Sequence, residues 1–151
     1  RRDAVSRAHH RATGLGALAD ARDRELAAGV RVVEATDRYA VFCPFAPHRS
    51  FETWVVPRFA SPSWRALDDD ALAELADVTL RTLRRVLNAT GGSDYNLLVR
   101  EASLRHQREP WALWHLEVLP RRGGDAGFEL SSGLYCVLVP PEESAATLRS
   151  L

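Results

Sequence analysis

WALWHLEVLPRR, residues 111–122, gives the clearest indication of fold and chemistry in this chain. Read as a β-strand, the segment places alternate side chains on opposite faces. One face then carries His115 and Glu117, and the other face, from Trp114 to Val118, is apolar. Two residues along a strand lie about 7 Å apart. His115 and Glu117 could therefore hold a metal ion or share a proton network, or they could be a partly buried pair that serves packing.

Other strands are predicted on both sides of this segment. Runs rich in Val, Phe, Tyr and Trp occupy residues 30–35, 39–43 and 51–56, and the turn-like Thr-Asp-Arg between the first two indicates a hairpin. Residues 95–100, 111–119 and 133–139 have the same character. The chain is therefore expected to contain six strands in two groups of three.

Helices are predicted between and around these groups. Leucines at three- and four-residue spacing indicate a long helix over residues 70–89. The three aspartates at 68–70 would cap its N-terminus rather than bind metal. Residues 15–29 indicate another helix, which ends at a glycine, and Pro140-Pro141 opens a short last helix. Separate groups of strands and helices predict an α+β fold with a largely antiparallel sheet.

Residues 1–14 show no apolar period, so we expect a loose N-terminal arm followed by one domain over residues 15–151. Twenty basic residues balance twenty acidic ones, which argues against binding to nucleic acid or an anionic membrane. No apolar run approaches the roughly 20 residues that a membrane span needs. All the basic residues are arginine, and the absence of lysine excludes a P-loop and Schiff-base chemistry.

The remaining polar candidates are weaker. Cys43 and Cys136 are too few for a disulfide scaffold, so we expect them to be buried and inert in a reducing cytoplasm. The glycine-rich residues 123–127, beside Arg121, could offer backbone N–H groups to a phosphate or could be only a flexible turn. His48 and the other histidines outside the strands are expected on the surface.

Three blocks of the sequence, taken in order, resemble a known family. They are VVEATDRYAVFCPFAPHRSFETWVVPR (32–58), YNLLVR with WHLEVLPRR (95–100 and 114–122), and AGFELSSGLYCVLVPPEESA (126–145). These blocks resemble the C-terminal half of galactose-1-phosphate uridylyltransferases, which are members of the histidine-triad superfamily. The resemblance covers about residues 24 to 149 and implies a histidine-triad-like α+β fold.

The resemblance also implies a function. Full-length members have two such halves and transfer UMP between hexose 1-phosphates through a covalent uridylyl-histidine, whose histidine belongs to an H-P-H-G-Q-like motif in the first half. This chain has no such motif. We therefore expect a nucleotidyltransferase domain of galactose metabolism that binds a nucleotide sugar or sugar phosphate and lacks the nucleophilic half. A non-catalytic binding or dimerisation module is the alternative, and a hydrolase that uses His115 directly is a third.

The resemblance assigns His115 and Glu117 as the central polar residues of the site. The family binds zinc or iron, and His115 matches one ligand, while Glu117 stands where members have a histidine or a glutamate. Arg100 and Leu113 replace further ligand histidines. The ligand set is incomplete, so we predict no tightly bound metal.

The same resemblance implies a sugar-phosphate path along Arg121, Phe128, Glu129 and Tyr135. In the family this segment reaches into the active site of a partner subunit. We therefore expect a homodimer with residues 123–135 at or near its interface.

Overall fold

A five-stranded antiparallel sheet organises the computed structural model, which describes residues 2–121 and 126–151. Its strands are β1 (Val32–Ala35), β2 (Tyr39–Phe42), β3 (Thr53–Pro57), β4 (Tyr95–Arg100) and β5 (His115–Pro120). They lie in the order β1-β2-β3-β5-β4, and every neighbouring pair is antiparallel. The predicted α+β class and largely antiparallel sheet are confirmed.

The helices are α1 (Arg2–Thr13), α2 (Ala17–Ala28), α3 (Asp69–Thr90), α4 (Gly127–Ser132) and α5 (Pro141–Arg149). Short 3₁₀ turns occupy Trp64–Ala66 and Leu104–His106. Within the described ranges, none of the helices is both long enough and apolar enough to cross a membrane.

The two faces of the sheet are covered differently. One face packs with α3 and α5 into the main core, where Val118 of β5 and Trp114, just before β5, are fully buried beside Val78 of α3. The other face carries a smaller apolar cluster around Phe42, against which Leu18 of α2 packs. Burial of apolar surface on both faces fixes the register of β5, because a shift of one residue would exchange its two sets of side chains.

Helix α3 forms where the leucine spacing predicts it, and its ends have physical causes. The Asp68 carboxylate accepts the N–H of Ala71 at 2.7 Å, so the predicted capping role of the aspartates is confirmed. At the other end Gly91 adopts φ 68°, a left-handed conformation that favours glycine.

The expectation of a loose N-terminal arm is wrong, because residues 2–13 form α1. His9 Nε2 lies 3.1 Å from the carboxylate of Asp20 on α2, and the Thr13 hydroxyl donates to the carbonyl of His9. These contacts hold a helix whose sequence has no continuous apolar face. The division of the chain at residue 15 stays a prediction.

The sixth predicted strand, residues 133–139, is also wrong. This segment is irregular, and Leu134 and Leu138 are exposed on it. Its composition favours a strand, but strand formation also requires a neighbour to complete the hydrogen bonds. The described sheet ends at β1 and β4, and neither edge pairs with it. The strand predicted from residue 111 begins only at His115, after a turn that includes Pro110 and Trp111.

The two cysteines have different surroundings. Cys43 is buried, as predicted, and burial raises the pKa of its thiol to about 12. Cys136 lies exposed in the irregular segment, so the expectation that it is buried is wrong. A hydrogen bond to Glu129 raises the pKa of the Cys136 thiol. Neither cysteine is therefore activated as a thiolate nucleophile.

Candidate functional site

The candidate site is centred on β5, which lies between β3 and β4. His115 and Glu117 point to the same face of this strand and are buried, as their alternation with the core residues predicts. Nε2 of His115 lies 3.0 Å from Oε1 of Glu117, so the two side chains form a direct hydrogen bond. A buried carboxylate of this kind fixes the orientation of the imidazole.

Arg100 completes a network of three side chains. It lies opposite His115 in the β4–β5 register, and its Nε donates to Oε2 of Glu117 at 2.8 Å. The side chain of Arg100 is 41% exposed, whereas that of Glu117 is 3% exposed. The carboxylate therefore contacts imidazole through one oxygen and guanidinium through the other. Arg100 balances the buried negative charge and brings a positive charge to the rim of the site.

Trp54 and Glu52 extend the site from the neighbouring β3 region. The Trp54 ring lies 4.6 Å from the ring of His115, and its Nε1 donates to Oε1 of Glu52 at 2.8 Å. The side chain of Glu52 is fully buried, and its Oε2 accepts the backbone N–H of His48 at 2.6 Å. Sequence reasoning missed Glu52 and Trp54. The sequence FETW could have indicated them, because it places Glu52 and Trp54 two residues apart in a segment otherwise typical of a buried strand.

A cleft of about 620 Å³ opens over this face of the sheet. Its walls are mostly apolar and come from α1, α2 and the segment before β5, with Leu18, Trp111 and Leu113 among them. Its polar groups include His48, Arg100, Glu101 and His115, together with Asp3 of α1. A volume of this size with a few polar groups among apolar walls is typical of small-molecule sites.

Helix α1 forms a wall of the cleft and is attached at both ends. Near its C-terminus His9 contacts Asp20, as described above. Near its N-terminus the carboxylate of Asp3 accepts the backbone N–H of Ser103 at 3.3 Å. Hydrogen bonding to Ser103 lowers the pKa of Asp3, so this side chain carries a negative charge at the rim.

The predicted substrate residues lie largely outside this cleft. Arg121 follows β5, where its backbone N–H donates to the carbonyl of Asp94 at 2.6 Å, and Phe128 is exposed on α4. Tyr135 is the member of the set nearest the cleft, since its ring lies 4.7 Å from that of His48. Their roles in substrate binding stay predictions.

Glu129, also predicted to bind substrate, forms a hydrogen bond at the N-terminus of its own helix. Its carboxylate accepts the N–H of Ala126 at 3.1 Å, and hydrogen bonds from the backbone N–H groups of Glu129 and Ala126 lower its pKa. Most of the glycine-rich loop considered for phosphate binding falls at residues 122–125, which lie outside the described residues.

The side chains present do not fit a zinc or iron site. His115 and Glu117 supply two donors, and both oxygens of Glu117 already accept hydrogen bonds. A structural zinc site needs four ligands. Across residues 2–121 and 126–151, no group of three or more His, Cys, Asp or Glu side chains could hold a metal ion. Arg100 occupies the position beside Glu117 where a cation would balance its charge.

The fold and the position of this site define the class of the protein: it has a histidine-triad-like α+β fold. The NitFhit protein of C. elegans shares the fold with a TM-score of 0.59 and 19% identity, over 80% of this chain and 27% of that one. No family model matches the chain.

The more extensive similarities are to larger proteins. The chain is 26% identical over 141 residues to ADP-glucose phosphorylase of Arabidopsis thaliana, a match covering 92% of this chain and 39% of the relative. The crystal structure of an ADP-glucose phosphorylase from Arabidopsis thaliana with bound ADP-glucose superposes with a TM-score of 0.83 and 24% identity, over 97% of this chain and 46% of that one. A uridylyltransferase mutant gives a TM-score of 0.86 and 22% identity, over 97% and 50%.

The chain therefore spans half or less of the length of these relatives. The resemblance to the C-terminal half of the galactose-1-phosphate uridylyltransferases and to the histidine-triad fold is confirmed.

Proposed function

We propose that this chain is a nucleotidyltransferase-type domain that binds a nucleotide sugar or sugar phosphate in the cleft beside His115. The observation that carries the proposal is the position of the cleft. It lies over the face of the sheet on which the buried His115–Glu117 pair of β5 meets Arg100 of β4. The similarity to an ADP-glucose phosphorylase supports a nucleotide sugar as the ligand.

The chemistry of the cleft suits such a ligand. Its apolar walls and the Trp54 ring can receive a flat base or the apolar face of a sugar. Arg100 supplies a permanent positive charge for a phosphate. The similarity to an ADP-glucose phosphorylase supports ADP-glucose as a candidate ligand, and the sequence resemblance to galactose-1-phosphate uridylyltransferases makes the uridylyl sugars of galactose metabolism a second candidate.

His115 is unsuited to act as the covalent nucleophile. Its Nε2 already bonds to Glu117, and Trp114 and Leu116 flank it in the strand. An attacking imidazole needs a nitrogen with an accessible lone pair close to the phosphorus atom, and the other ring nitrogen of His115, Nδ1, is buried. If a second half with the H-P-H-type motif belongs to the natural protein, we assign nucleophilic attack to that half, since the motif is absent from this sequence.

Isothermal titration of the 151-residue chain with ADP-glucose, UDP-glucose and galactose 1-phosphate tests the proposed binding. We expect saturable binding of at least one nucleotide sugar. Trp54→Leu should weaken it about tenfold, since a lost aromatic contact costs about 1–1.5 kcal/mol. Trp64→Leu is the matched control, because Trp64 lies outside the cleft and should leave affinity unchanged. No saturation by any of the three ligands would overturn the proposal.

Intact-protein mass spectrometry after incubation with UDP-glucose tests the assignment of the nucleophile. We expect no uridylyl adduct on this chain. An adduct that disappears in His115→Asn would show instead that the chain is a transferase by itself.

The alternative is a binding or dimerisation module without catalysis, which the replacement of ligand histidines at Arg100 and Leu113 favours.

In either case we propose a homodimer that uses the region of residues 123–135. The exposed Phe128, Leu130 and Leu134 support an interface there. Two free thiols support a reducing compartment, which we take to be the cytoplasm.

A further inference from the structure

His48 is held by a fully buried carboxylate. Its Nδ1 lies 3.3 Å from Oε2 of Glu52, and its backbone N–H donates to the same oxygen at 2.6 Å. The other oxygen of Glu52 accepts Nε1 of Trp54 at 2.8 Å. Glu52 is therefore fixed from two sides. It holds the His48 ring by the edge that carries Nδ1.

This arrangement directs the opposite edge of the ring outward. The side chain of His48 is 48% exposed and contributes to the lining of the cleft. Because Nδ1 is turned toward Glu52, Nε2 lies on the far side of the imidazole. The ring of Tyr135 packs against it at 4.7 Å and an interplanar angle of 75°, which restricts its rotation further.

The contrast with His115 assigns different roles to the two histidines of the cleft. In His115, Nε2 bonds to Glu117 and the side chain is 8% exposed. In His48, the nitrogen bound to carboxylate is Nδ1, and the side chain is half exposed. A carboxylate at Nδ1 favours a proton on that nitrogen and fixes the ring, so Nε2 is the nitrogen turned toward a ligand.

We propose that His48 is a phosphate-contacting residue of the cleft and that Glu52 is its positioning residue. In a ring that carries a proton on both nitrogens, Nε2 of His48 would donate to a phosphate oxygen of the ligand. This inference rests on the proposed binding of a nucleotide sugar or sugar phosphate. The sequence alone predicted only that His48 lies on the surface.

The charges around His48 are compatible with an anion. Arg49 lies over the Tyr135 ring at 5.7 Å from its centroid and adds positive charge on that side. Across the cleft, Arg100 is positive, while Asp3 and Glu101 are negative. A phosphate would therefore find hydrogen-bond donors at His48 and at Arg100, whose side chain is 41% exposed although its Nε donates to Glu117, whereas the side chain of His115 is only 8% exposed.

Two substitutions of His48 distinguish the contact made by Nδ1 from the contact made by Nε2. In His48→Asn the side-chain amide stands near the position of Nδ1, so the contact with Glu52 is kept and the group at Nε2 is lost. In His48→Gln the amide reaches the position of Nε2. We expect Asn to weaken binding of ADP-glucose and of inorganic pyrophosphate by about tenfold to a hundredfold, the range for a hydrogen bond to a charged group. Gln should weaken binding less than Asn does.

His106→Asn is the matched control. His106 is a partly exposed histidine whose Nδ1 lies 3.9 Å from Glu109, and it does not line the cleft. This substitution should leave both affinities unchanged. His48→Asn and His106→Asn should unfold at the temperature of the parent chain, because the first keeps the contact with Glu52 and the second replaces a partly exposed side chain.

Glu52→Gln tests the positioning role. Long-range ¹H–¹⁵N NMR spectra should show the Nδ1–H tautomer of His48 in the parent chain and lose that preference in the variant. Binding of ADP-glucose should weaken in the same variant. If Glu52 has only a structural role, the tautomer of His48 should be unchanged in the folded molecules of the variant. That result would overturn the assignment.

The outcomes distinguish this inference from the proposed function. If the parent chain binds ADP-glucose and His48→Asn binds it equally well, the inference is overturned and the proposed function stands. If no nucleotide sugar binds, the proposed function fails, and titration with pyrophosphate decides the inference alone. His48 ring signals that shift with pyrophosphate, together with weaker binding in His48→Asn, then support a phosphate contact, whereas unshifted signals overturn it.

Discussion

Substitution of Arg100 by methionine is the sharpest test of the network in the cleft. Methionine keeps much of the length of the side chain and removes the guanidinium that donates to Glu117. The carboxylate then remains 3% exposed with His115 as its described partner. Removing one partner of a buried ion pair costs about 3–5 kcal/mol. Arg100 is 41% exposed, and solvent screens part of the interaction. We therefore expect Arg100→Met to lower the free energy of unfolding by about 2–3 kcal/mol.

The reverse substitution should cost less. Glu117→Gln leaves the charge on Arg100, which can turn toward water, and the amide of glutamine can still bond to His115. We expect a loss of about 1 kcal/mol in the free energy of unfolding. The double variant Arg100→Met/Glu117→Gln leaves no buried charge. It should be more stable than Arg100→Met alone, and the three values should be non-additive by about 1–2 kcal/mol.

Urea unfolding followed by far-ultraviolet circular dichroism measures all three differences. Arg84→Met is the matched control, because Arg84 is exposed on α3, and it should change the free energy of unfolding by less than about 0.5 kcal/mol. High salt should reduce the effect of Arg100→Met only slightly, since the carboxylate is buried. Additive values, or an Arg100→Met variant as stable as the control, would refute this account of the network.

Four further results are expected. Elemental analysis of purified protein should find no stoichiometric zinc or iron, and about one metal per chain would reveal ligands beyond His115 and Glu117. A thiol reagent should modify the exposed Cys136 in the folded protein and the buried Cys43 only after unfolding, whereas two fast thiols would contradict the burial of Cys43. Light scattering at micromolar concentration should give a dimer mass, and a monomer mass would count against the shared interface. The fourth concerns Glu34: burial acts to raise its pKa, but hydrogen bonds from arginines on α3 outweigh burial and hold it below the usual 4.5. Glu34→Gln should therefore lower the free energy of unfolding by about 1 kcal/mol near neutral pH and by less as the pH falls through the lowered pKa of Glu34, where the parent carboxylate loses its charge; a cost independent of pH would exclude this linkage.

The site could be predicted from sequence where one strand determines it. Alternation along residues 114–118 places His115 and Glu117 on one face and Trp114 in the core, because the pleat of a strand has a period of two residues. The long helix was equally accessible, since its apolar spacing and its aspartate cap are local features.

Features that depend on contacts between elements could not be predicted in the same way. The bond from Arg100 to Glu117 requires the register of β4 against β5, which are separated by a loop without a regular pattern. Helix α1 is held by contacts with α2 and Ser103 rather than by an apolar stripe. The strand-like composition of residues 133–139 cannot reveal that the sheet offers it no partner.

The position of Arg100 has a consequence for how the cleft acquires its charge. A metal ion beside Glu117 would have to be captured after synthesis and could be lost again to a chelator or to dilution. The guanidinium of Arg100 is part of the polypeptide, and it remains positive at every physiological pH. The buried carboxylate of Glu117 would therefore have the same counter-charge in a cell starved of zinc or iron as in a cell supplied with both.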